Sequence, residues 1–468
     1  MIKKVVSHSL IYGLGPFIPK IIGLLMLPIF TKFLTTEDYG VQSIMNSSLG
    51  LISVLSMLGL QLPMSNAFFH HSNHFKKRWG QFYGFLNIWM IFYSFLLGIV
   101  IYFIIPKEAS ENLYWIIILN IVPIVCFGPA DTIGQLYYQL NQKPKQVVIR
   151  TIIISFVTII LNYYTIVVLQ LHYMGWFIAN CISMLLLHFS YWYPLRFILK
   201  IKPIYKFKKV VIKRGLSISL PMLPHYYGSF LLSSSDTLLL KFFLISTSQI
   251  GYYGFAASFG GLMAMAVGAI NTAAAPVISE QIKLKDYDSV QNLTWALQFS
   301  LLILSSIGCF WLKEVFDVMV NNEELKTAYF LAAIFIMSHN YRPMYFGVNT
   351  ILFYREKTRN LWKVTFGAGL ICVLLNILFI PIFGIKSPAY VLFFSYLIMG
   401  YGTFFLKDYK EVAVTEFKPL WWFLITILSF IVVLLVIDLS IICKFFVSFI
   451  YIVLLYFYFL KRMKIARF

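Results

Sequence analysis

Charge is scarce in this sequence. Only 12% of its 468 residues are Asp, Glu, Lys or Arg, and 60% are hydrophobic. Because a soluble domain carries about 25% charged residues, this composition excludes a water-soluble globular protein. The hydrophobic residues fall in long runs, not in the short alternating stretches of a transmembrane barrel. The composition therefore predicts an all-α polytopic membrane protein.

Acidic residues are the scarcest charged class, with 18 Asp and Glu against 38 Lys and Arg. In a soluble chain the resulting net charge of +20 would suggest a nucleic-acid partner. In a membrane protein the same excess is typical of basic cytoplasmic loops. We therefore expect no nucleic-acid partner.

Motifs for disulfides, nucleotides and metals are missing as well. The five cysteines are scattered and have neither a disulfide framework nor a metal-binding spacing. The sequence contains no GxxxxGK[ST] phosphate loop and no HExxH. The histidines of "HHSNH" (70–74) lie in a short basic loop without a nearby carboxylate. We expect no metal, no resident cofactor and no ATP hydrolysis.

Apolar runs long enough to cross a bilayer, which takes about 20 residues, occur fourteen times. The predicted spans are 9–31, 41–65, 82–105, 113–138, 147–169, 174–193, 215–240, 251–275, 293–312, 327–350, 364–381, 388–406, 419–437 and 445–460. With the N-terminus placed inside, the inner segments hold 29 Lys and Arg and the outer loops hold 7. This bias favours an even number of spans and both termini in the cytoplasm.

A weak internal repeat indicates how the spans are grouped. "TKFLTTEDYG" (31–40) follows span 1, and "LKFFLISTSQIGYYG" (240–254) follows span 7. Both have a Lys-Phe exit, a short polar loop and a Gly beside a Tyr. The repeat predicts two six-helix lobes in parallel orientation. The predicted segments are 1–203 with helices 1–6, 204–411 with a basic linker and helices 7–12, and 412–468 with helices 13 and 14.

Two cations lie near the middle of predicted spans, Lys20 in span 1 and Arg342 in span 10. A Lys or Arg at the centre of a membrane helix costs about 2.5–3.5 kcal/mol on insertion scales, so it must face a cavity or a partner. Lys20 lies beside prolines that interrupt helical hydrogen bonds. His339 precedes Arg342 by three residues and shares its helix face. The acidic residues inside spans are Asp131 and Asp236, and His188 and His225 are further histidines inside spans.

These residues allow two interpretations. In the first, Lys20, Arg342, His339 and His225 line a hydrated central cavity that attracts an anion. In the second, Lys20 or Arg342 pairs with one of the two aspartates and fixes helix packing. Asp131, Asp236 and the buried histidines are also candidates to bind a coupling ion, H⁺ or Na⁺.

The stretch "LIYGLGPFIPKIIGLLMLPIFTKFLTTEDYG" (10–40) resembles the opening of the polysaccharide-biosynthesis, Wzx-type flippases for lipid-linked oligosaccharides. These belong to the multidrug/oligosaccharidyl-lipid/polysaccharide (MOP) exporter superfamily. The second half adds "LSISLPMLPHYYGSFLLSSSDTLLLKFFL" (216–244), "IGYYG" (250–254) and Pro276 after span 8. The resemblance covers all fourteen spans in layout, and sequence detail around spans 1–2 and 7–8.

The resemblance implies a transporter of the bacterial inner membrane, not an enzyme. Family members move an undecaprenyl-pyrophosphate-linked oligosaccharide from the cytoplasmic to the outer leaflet by alternating access. The product is O-antigen, capsule or another surface polysaccharide. Implied partners are that lipid-linked oligosaccharide, membrane lipids, and a polysaccharide polymerase with its chain-length machinery. The roles of Lys20 and Arg342 rest on the burial argument alone, because the family has no fixed motif at either position.

Three alternatives stay open. A cation-coupled multidrug exporter of the same superfamily would favour carboxylates in its cavity. A lipid II flippase usually carries several cavity arginines in its first lobe, where Lys20 stands alone. A membrane glycosyltransferase or polymerase needs a large outer loop, and the longest predicted outer loop is 313–326.

Overall fold

A computed structural model describes residues 17–70, 74–357, 360–412 and 416–465. Within these ranges all regular structure is helical. The start of predicted span 1, both chain ends and the middle of the "HHSNH" motif lie outside the described residues.

Contacts divide the described chain after Gly251 into two compact units, called here the N-terminal unit and the C-terminal unit. These units are not the predicted segments 1–203, 204–411 and 412–468, and that division stays a prediction. The helices of the N-terminal unit are α1 (Phe17–Leu25), α2 (Leu27–Phe33), α3 (Thr36–Ser53), α4 (Gln61–His70), α5 (Phe75–Ile104), α6 (Leu113–Phe127), α7 (Ala130–Leu140), α8 (Pro144–Asn162), α9 (His172–Tyr193), α10 (Lys209–Ser219), α11 (Leu223–Ser233) and α12 (Ser235–Phe242).

A long helix, α13, begins in the N-terminal unit and continues into the C-terminal unit. The remaining helices all lie in the C-terminal unit. From α13 onward the helices are α13 (Thr247–Leu284), α14 (Tyr287–Phe310), α15 (Leu312–Met319), α16 (Glu323–Lys326), α17 (Tyr329–Met337), α18 (Arg342–Tyr354), α19 (Leu361–Phe383), α20 (Ser387–Gly402), α21 (Lys407–Val412), α22 (Pro419–Val436) and α23 (Ile441–Ile465).

The predicted spans coincide with these helices. Nine helical stretches of the described chain are long and apolar enough to cross a membrane, and one of them, residues 361–405, covers two predicted spans. The other four predicted spans, 1, 2, 7 and 10, coincide with shorter or more polar helical segments. The prediction of an all-α polytopic membrane protein is confirmed.

Proline and glycine interrupt several spans. Span 7 changes to a 3₁₀ turn at Leu220–Met222, and span 4 breaks at Gly128–Pro129, where Gly128 has a φ of +56°. Proline lacks a backbone N–H and therefore breaks the helical ladder. Spans 1, 2, 4, 7 and 10 are interrupted in this way or by short turns. Six of the candidate site residues lie on these interrupted spans, whereas His188 lies on the continuous helix α9.

The glycines of the repeated motif bring α3 and α13 into close contact. A Cβ at Gly251 would lie 2.6 Å from the Gly40 backbone nitrogen and nearer still to the Thr36 carbonyl. The hydroxyls of Thr36 and Ser248 are 2.7 Å apart at the same crossing. Only glycine leaves room for this approach of two backbones.

Asp38 of the "EDYG" motif fixes the start of α3. Its Oδ2 accepts hydrogen bonds from the Thr35 amide at 2.8 Å and the Thr35 hydroxyl at 2.9 Å, which completes a capping box. Its Oδ1 accepts from the Tyr173 amide at 3.0 Å. One buried carboxylate thus ties α3 to the start of α9.

The last two helices pack within the C-terminal unit. Phe430 of α22 stacks on Phe393 of α20, with ring centroids 4.0 Å apart. Lys444 of α23 is fully buried, and its Nζ lies 2.6 Å from the Glu314 carboxylate. These contacts fasten α22 and α23 to the helices before them.

Candidate functional site

Arg342, the cation of span 10, directly follows a short turn that interrupts this span. Residues Ser338–Tyr341 form a 3₁₀ turn between α17 and α18, and Arg342 begins α18, followed by Pro343. His339 is buried, and its ring lies 5.3 Å from that of Tyr396. The sequence predicted that His339 and Arg342 share a face, and both side chains contact the same neighbour, α13.

That contact uses the backbone of α13. The Arg342 Nη1 donates to the Ala264 carbonyl at 3.3 Å, and the His339 side chain hydrogen-bonds the Gly260 backbone. Gly260 and Ala264 are one helical turn apart, so two consecutive turns of α13 are held. Arg342 also hydrogen-bonds the Tyr341 side chain.

The charge of Arg342 is not neutralised by a carboxylate in the described part of the chain. No ion pair there includes Arg342, and its Nε is buried without a hydrogen-bond partner. A guanidinium has five N–H donors in a planar fork. Its remaining donors can therefore bind an anion.

A buried polar network supports the 3₁₀ turn from behind. Gln298 Nε2 donates to the Asn340 carbonyl at 2.6 Å, and the Ser305 hydroxyl donates to Asn340 Oδ1 at 2.9 Å. Gln298 and Asn340 are both fully buried. Sequence reasoning missed this network, although two isolated carboxamides inside apolar spans were its visible signal.

Lys20 lies on α1 in the N-terminal unit and is exposed. Among residues 17–70, 74–357, 360–412 and 416–465, it forms no ion pair. The second interpretation, a structural pairing of Lys20 or Arg342 with Asp131 or Asp236, therefore finds no contact in the described chain. The assignment of both cations to an anion stays a prediction.

Asp131 lies in the N-terminal unit beside a histidine. Its Oδ2 is 3.8 Å from the His188 Nε2, and its Oδ1 accepts from the Thr132 hydroxyl at 3.2 Å. The His188 Nδ1 is buried without a hydrogen-bond partner in the described residues. The pair lines a cavity of about 440 Å³ together with carboxamides from three helices, Asn46, Asn120 and Asn180. The sequence showed both ionisable residues but not that they meet.

The remaining two candidates lie on the broken span 7. Asp236 is buried in the first turn of α12, where its Oδ1 accepts from the Thr237 amide at 2.8 Å. His225 is half-buried on α11, with its ring 6.0 Å from that of Tyr226. Asp236 therefore has the local contacts of a residue that stabilises a helix start.

The fold is similar to the folds of solved multi-pass membrane transporters. The chain is similar to the lipid II flippase MurJ in an inward closed conformation, with a TM-score of 0.69, 15% identity and coverage of 91% of this chain and 97% of that one. It is also similar to an outward-facing multidrug resistance MATE family transporter of the MOP superfamily, with a TM-score of 0.60, 12% identity and coverage of 92% and 96%. At such identities the likeness shows the fold alone.

Sequence comparison gives the family. The model of the family described as "Polysaccharide biosynthesis protein" matches residues 5–282, and the chain belongs to this family. A curated relative is the "Lsg locus putative protein 1" of Haemophilus influenzae (strain ATCC 51907 / DSM 11121 / KW20 / Rd), 22% identical over 368 residues. The match covers 76% of this chain and 86% of the relative. The resemblance seen in residues 10–40 and 216–254 is confirmed.

Proposed function

We propose that the protein moves an undecaprenyl-pyrophosphate-linked oligosaccharide from the cytoplasmic to the outer leaflet of a bacterial inner membrane. The oligosaccharide is the repeat unit of an O-antigen, a capsule or another surface polysaccharide. Family membership supports the polysaccharide pathway. The observation that carries the proposal is Arg342, a half-buried guanidinium in a membrane helix without a carboxylate partner in the described residues.

A pyrophosphate needs such a group because it cannot cross hydrocarbon unaided. Moving an unpaired ion out of water costs far more than a helix rearrangement. The planar fork of an arginine donates two parallel hydrogen bonds to phosphate oxygens, whereas lysine supplies a point charge. Arg342 of the C-terminal unit is the residue that we assign to the head group, and Lys20 of the N-terminal unit stays a separate candidate to bind an anion. The isoprenoid tail stays in the lipid.

Movement of the head group requires helices that bend. Six of the seven candidate residues lie on interrupted spans, and broken helices are where transporters commonly place their substrate sites. The breaks near Arg342 and near Gly128 supply flexible points. We assign them as hinges of an alternating-access cycle, with both chain termini in the cytoplasm.

Net export also needs a source of energy. We assign proton coupling to Asp131 and His188, because a carboxylate and an imidazole 3.8 Å apart in a cavity form a pair that can exchange a proton. A polymerase with its chain-length machinery consumes the exported repeat unit, and this removal of the product favours net export. We propose transport and not catalysis for the chain itself.

The rival transporters differ in the charge of their cargo. A multidrug exporter for cations would place carboxylates where this chain places Arg342, so that residue argues against it. A lipid II flippase also carries a pyrophosphate, and family membership favours the polysaccharide repeat unit over it. Loss of surface polysaccharide with normal cell-wall synthesis in a deletion strain separates the two.

The test is complementation of that deletion strain. Arg342→Ala should lower surface polysaccharide at least tenfold, and the lipid-linked repeat unit should accumulate on the cytoplasmic side. Arg342→Lys keeps the charge without the fork and should give an intermediate level. Lys20→Ala should also reduce export.

The matched control is Arg355→Ala, because Arg355 is an exposed arginine that contacts the Tyr287 hydroxyl outside the predicted spans. Membrane protein is quantified in every strain. Full polysaccharide in both Arg342→Ala and Lys20→Ala, at wild-type protein level, would refute the assignment of the two cations.

A further inference from the structure

The cavity at Asp131 is part of a longer tract in the N-terminal unit, lined by both polar and apolar side chains. A second cavity of about 400 Å³ adjoins it, and the two share Ser53, Ser56 and Thr132 in their walls. Each volume is in the range of about 300–1,000 Å³ that holds a small organic ligand. Neither cavity is lined by Arg342 or by Lys20, the two residues assigned above to anions.

The walls of this tract are rich in uncharged hydrogen-bonding groups. The first cavity contributes carboxamides, and the second contributes hydroxyls that include Tyr226, Ser229 and Ser233. Neither wall includes a Lys or Arg from the described residues. The ionisable Asp131 and His188 contact each other. A phosphate or a carboxylate sugar would find no Lys or Arg here.

Two of the carboxamides lack protein partners. Asn46 on α3 and Asn180 on α9 are exposed, and neither has a side-chain hydrogen bond to another described residue. Placing a carboxamide in hydrocarbon without a hydrogen-bond partner costs free energy. These groups must therefore face water or a polar ligand. Asn120 donates to the Ile116 carbonyl at 2.7 Å, which leaves its own oxygen as an acceptor.

We propose that this tract binds the uncharged sugar residues of the transported oligosaccharide, either neutral hexoses or N-acetylhexosamines. The proposal rests on the function proposed above. Sugar hydroxyls both donate and accept hydrogen bonds, as do the carboxamides and hydroxyls of the tract. The Asp131 carboxylate adds a strong acceptor, and the apolar faces of Tyr93 and Phe177 lie in the same wall. A bare cation needs only a small cage of converging oxygens, not two joined cavities.

The experiment is saturation-transfer NMR on the full chain in lipid nanodiscs that contain no glycosidic detergent. The probes are glucose, galactose, rhamnose, N-acetylglucosamine and N-acetylgalactosamine, with glucuronic acid as the acidic counterpart. At least one neutral sugar should receive saturation, and glucuronic acid should receive at least fivefold less. Asn46→Leu and Asn180→Leu should each weaken neutral-sugar binding at least tenfold.

Gln249→Leu is the matched control, because it removes an exposed carboxamide outside both cavity walls. Asn180→Ala adds no bulk and guards against a folding defect in the leucine variants. Absence of transfer from every neutral sugar to the wild-type chain overturns the proposal. Equal sugar binding by the wild-type chain and by both asparagine variants also overturns the proposal. A third contradicting outcome is a ²³Na⁺ NMR signal that changes with the wild-type chain and not with these variants, while no sugar binds.

The two proposals can fail separately. If export still depends on Arg342 while no sugar binds the tract, the sugar assignment falls and the transport function stands. If sugars bind the tract while the deletion strain keeps its surface polysaccharide, the transport function falls and the binding site stands.

Discussion

Replacement of Gly251 by alanine should separate α3 from α13. The added Cβ would lie 2.6 Å from the Gly40 backbone nitrogen, whereas ordinary contact begins at 3.4 Å. The helices must therefore move apart by at least the difference, 0.8 Å, and further to clear the nearby Thr36 carbonyl. Backbone atoms cannot rotate out of the way as a flexible side chain can.

Overpacking of this kind costs about 1–3 kcal/mol. A change of that size shifts an equilibrium about 5- to 150-fold. The arrangement in which Thr36 and Ser248 touch should lose population by that factor.

Disulfide trapping measures this population. Thr36→Cys and Ser248→Cys are introduced together, because their hydroxyl oxygens are 2.7 Å apart and a disulfide forms only over a narrow range of Cα separations. Oxidation of membranes, followed by mass spectrometry of the 36–248 cross-link, gives a rate that the five native cysteines do not obscure. Gly251→Ala should slow cross-linking at least fivefold.

Gly261→Ala serves as the control, because it lies on the same helix and its Cβ would meet nothing within 4 Å. It should leave the rate unchanged. Equal cross-linking rates in the Gly251→Ala and Gly261→Ala proteins would refute the argument that steric contact at Gly251 sets the distance between the helices.

Two further substitutions test contacts that each lie within one unit and stabilise its helix packing. Asp38→Ala removes the three hydrogen bonds accepted by that carboxylate and should cost about 1–3 kcal/mol, seen as a lower Tm in a fluorescence melt. Glu37→Ala, which removes a neighbouring exposed carboxylate, should leave Tm nearly unchanged, and an equal fall in both would contradict the capping argument. Lys444→Met leaves the Glu314 carboxylate unpaired and should cost about 1–3 kcal/mol, between the values for exposed and fully buried pairs, because Glu314 is partly exposed. Adding Glu314→Gln to Lys444→Met should recover most of the lost Tm, and no recovery would show that packing and not charge decides the effect.

The fold was predictable because bilayer thickness sets span length and hydrophobicity marks each span. The interruptions of spans 7 and 10 were also visible, since Pro221 and Pro343 lie inside apolar runs, whereas the break in span 1 lies at Met26 and not at Pro19. The sequence likewise showed that Arg342 and His339 share a helix face. These are local properties that depend on neighbours within one or two turns.

The contacts of the candidate site were not predictable, because they join residues far apart in the chain. Arg342 reaches a carbonyl at Ala264, 78 positions away, and His188 meets Asp131 across two helices. A backbone acceptor leaves no trace in residue identity. Isolated polar residues in spans, such as Asn46 and Asn180, do leave a trace, and a search for carboxamides as well as charges would have found the cavity wall.

Side chains of span 10 bind backbone acceptors of α13, so substitutions on the two sides of this contact should differ in their effects. The acceptors at Gly260 and Ala264 are main-chain carbonyls, which every amino acid supplies. Position 264 should therefore tolerate many replacements in a saturation library, while position 342 tolerates few. Position 260 is the exception, because a side chain there would meet the Cβ of Phe335 at 2.8 Å. Covariation between 342 and 264 should accordingly be weak even though the two residues touch.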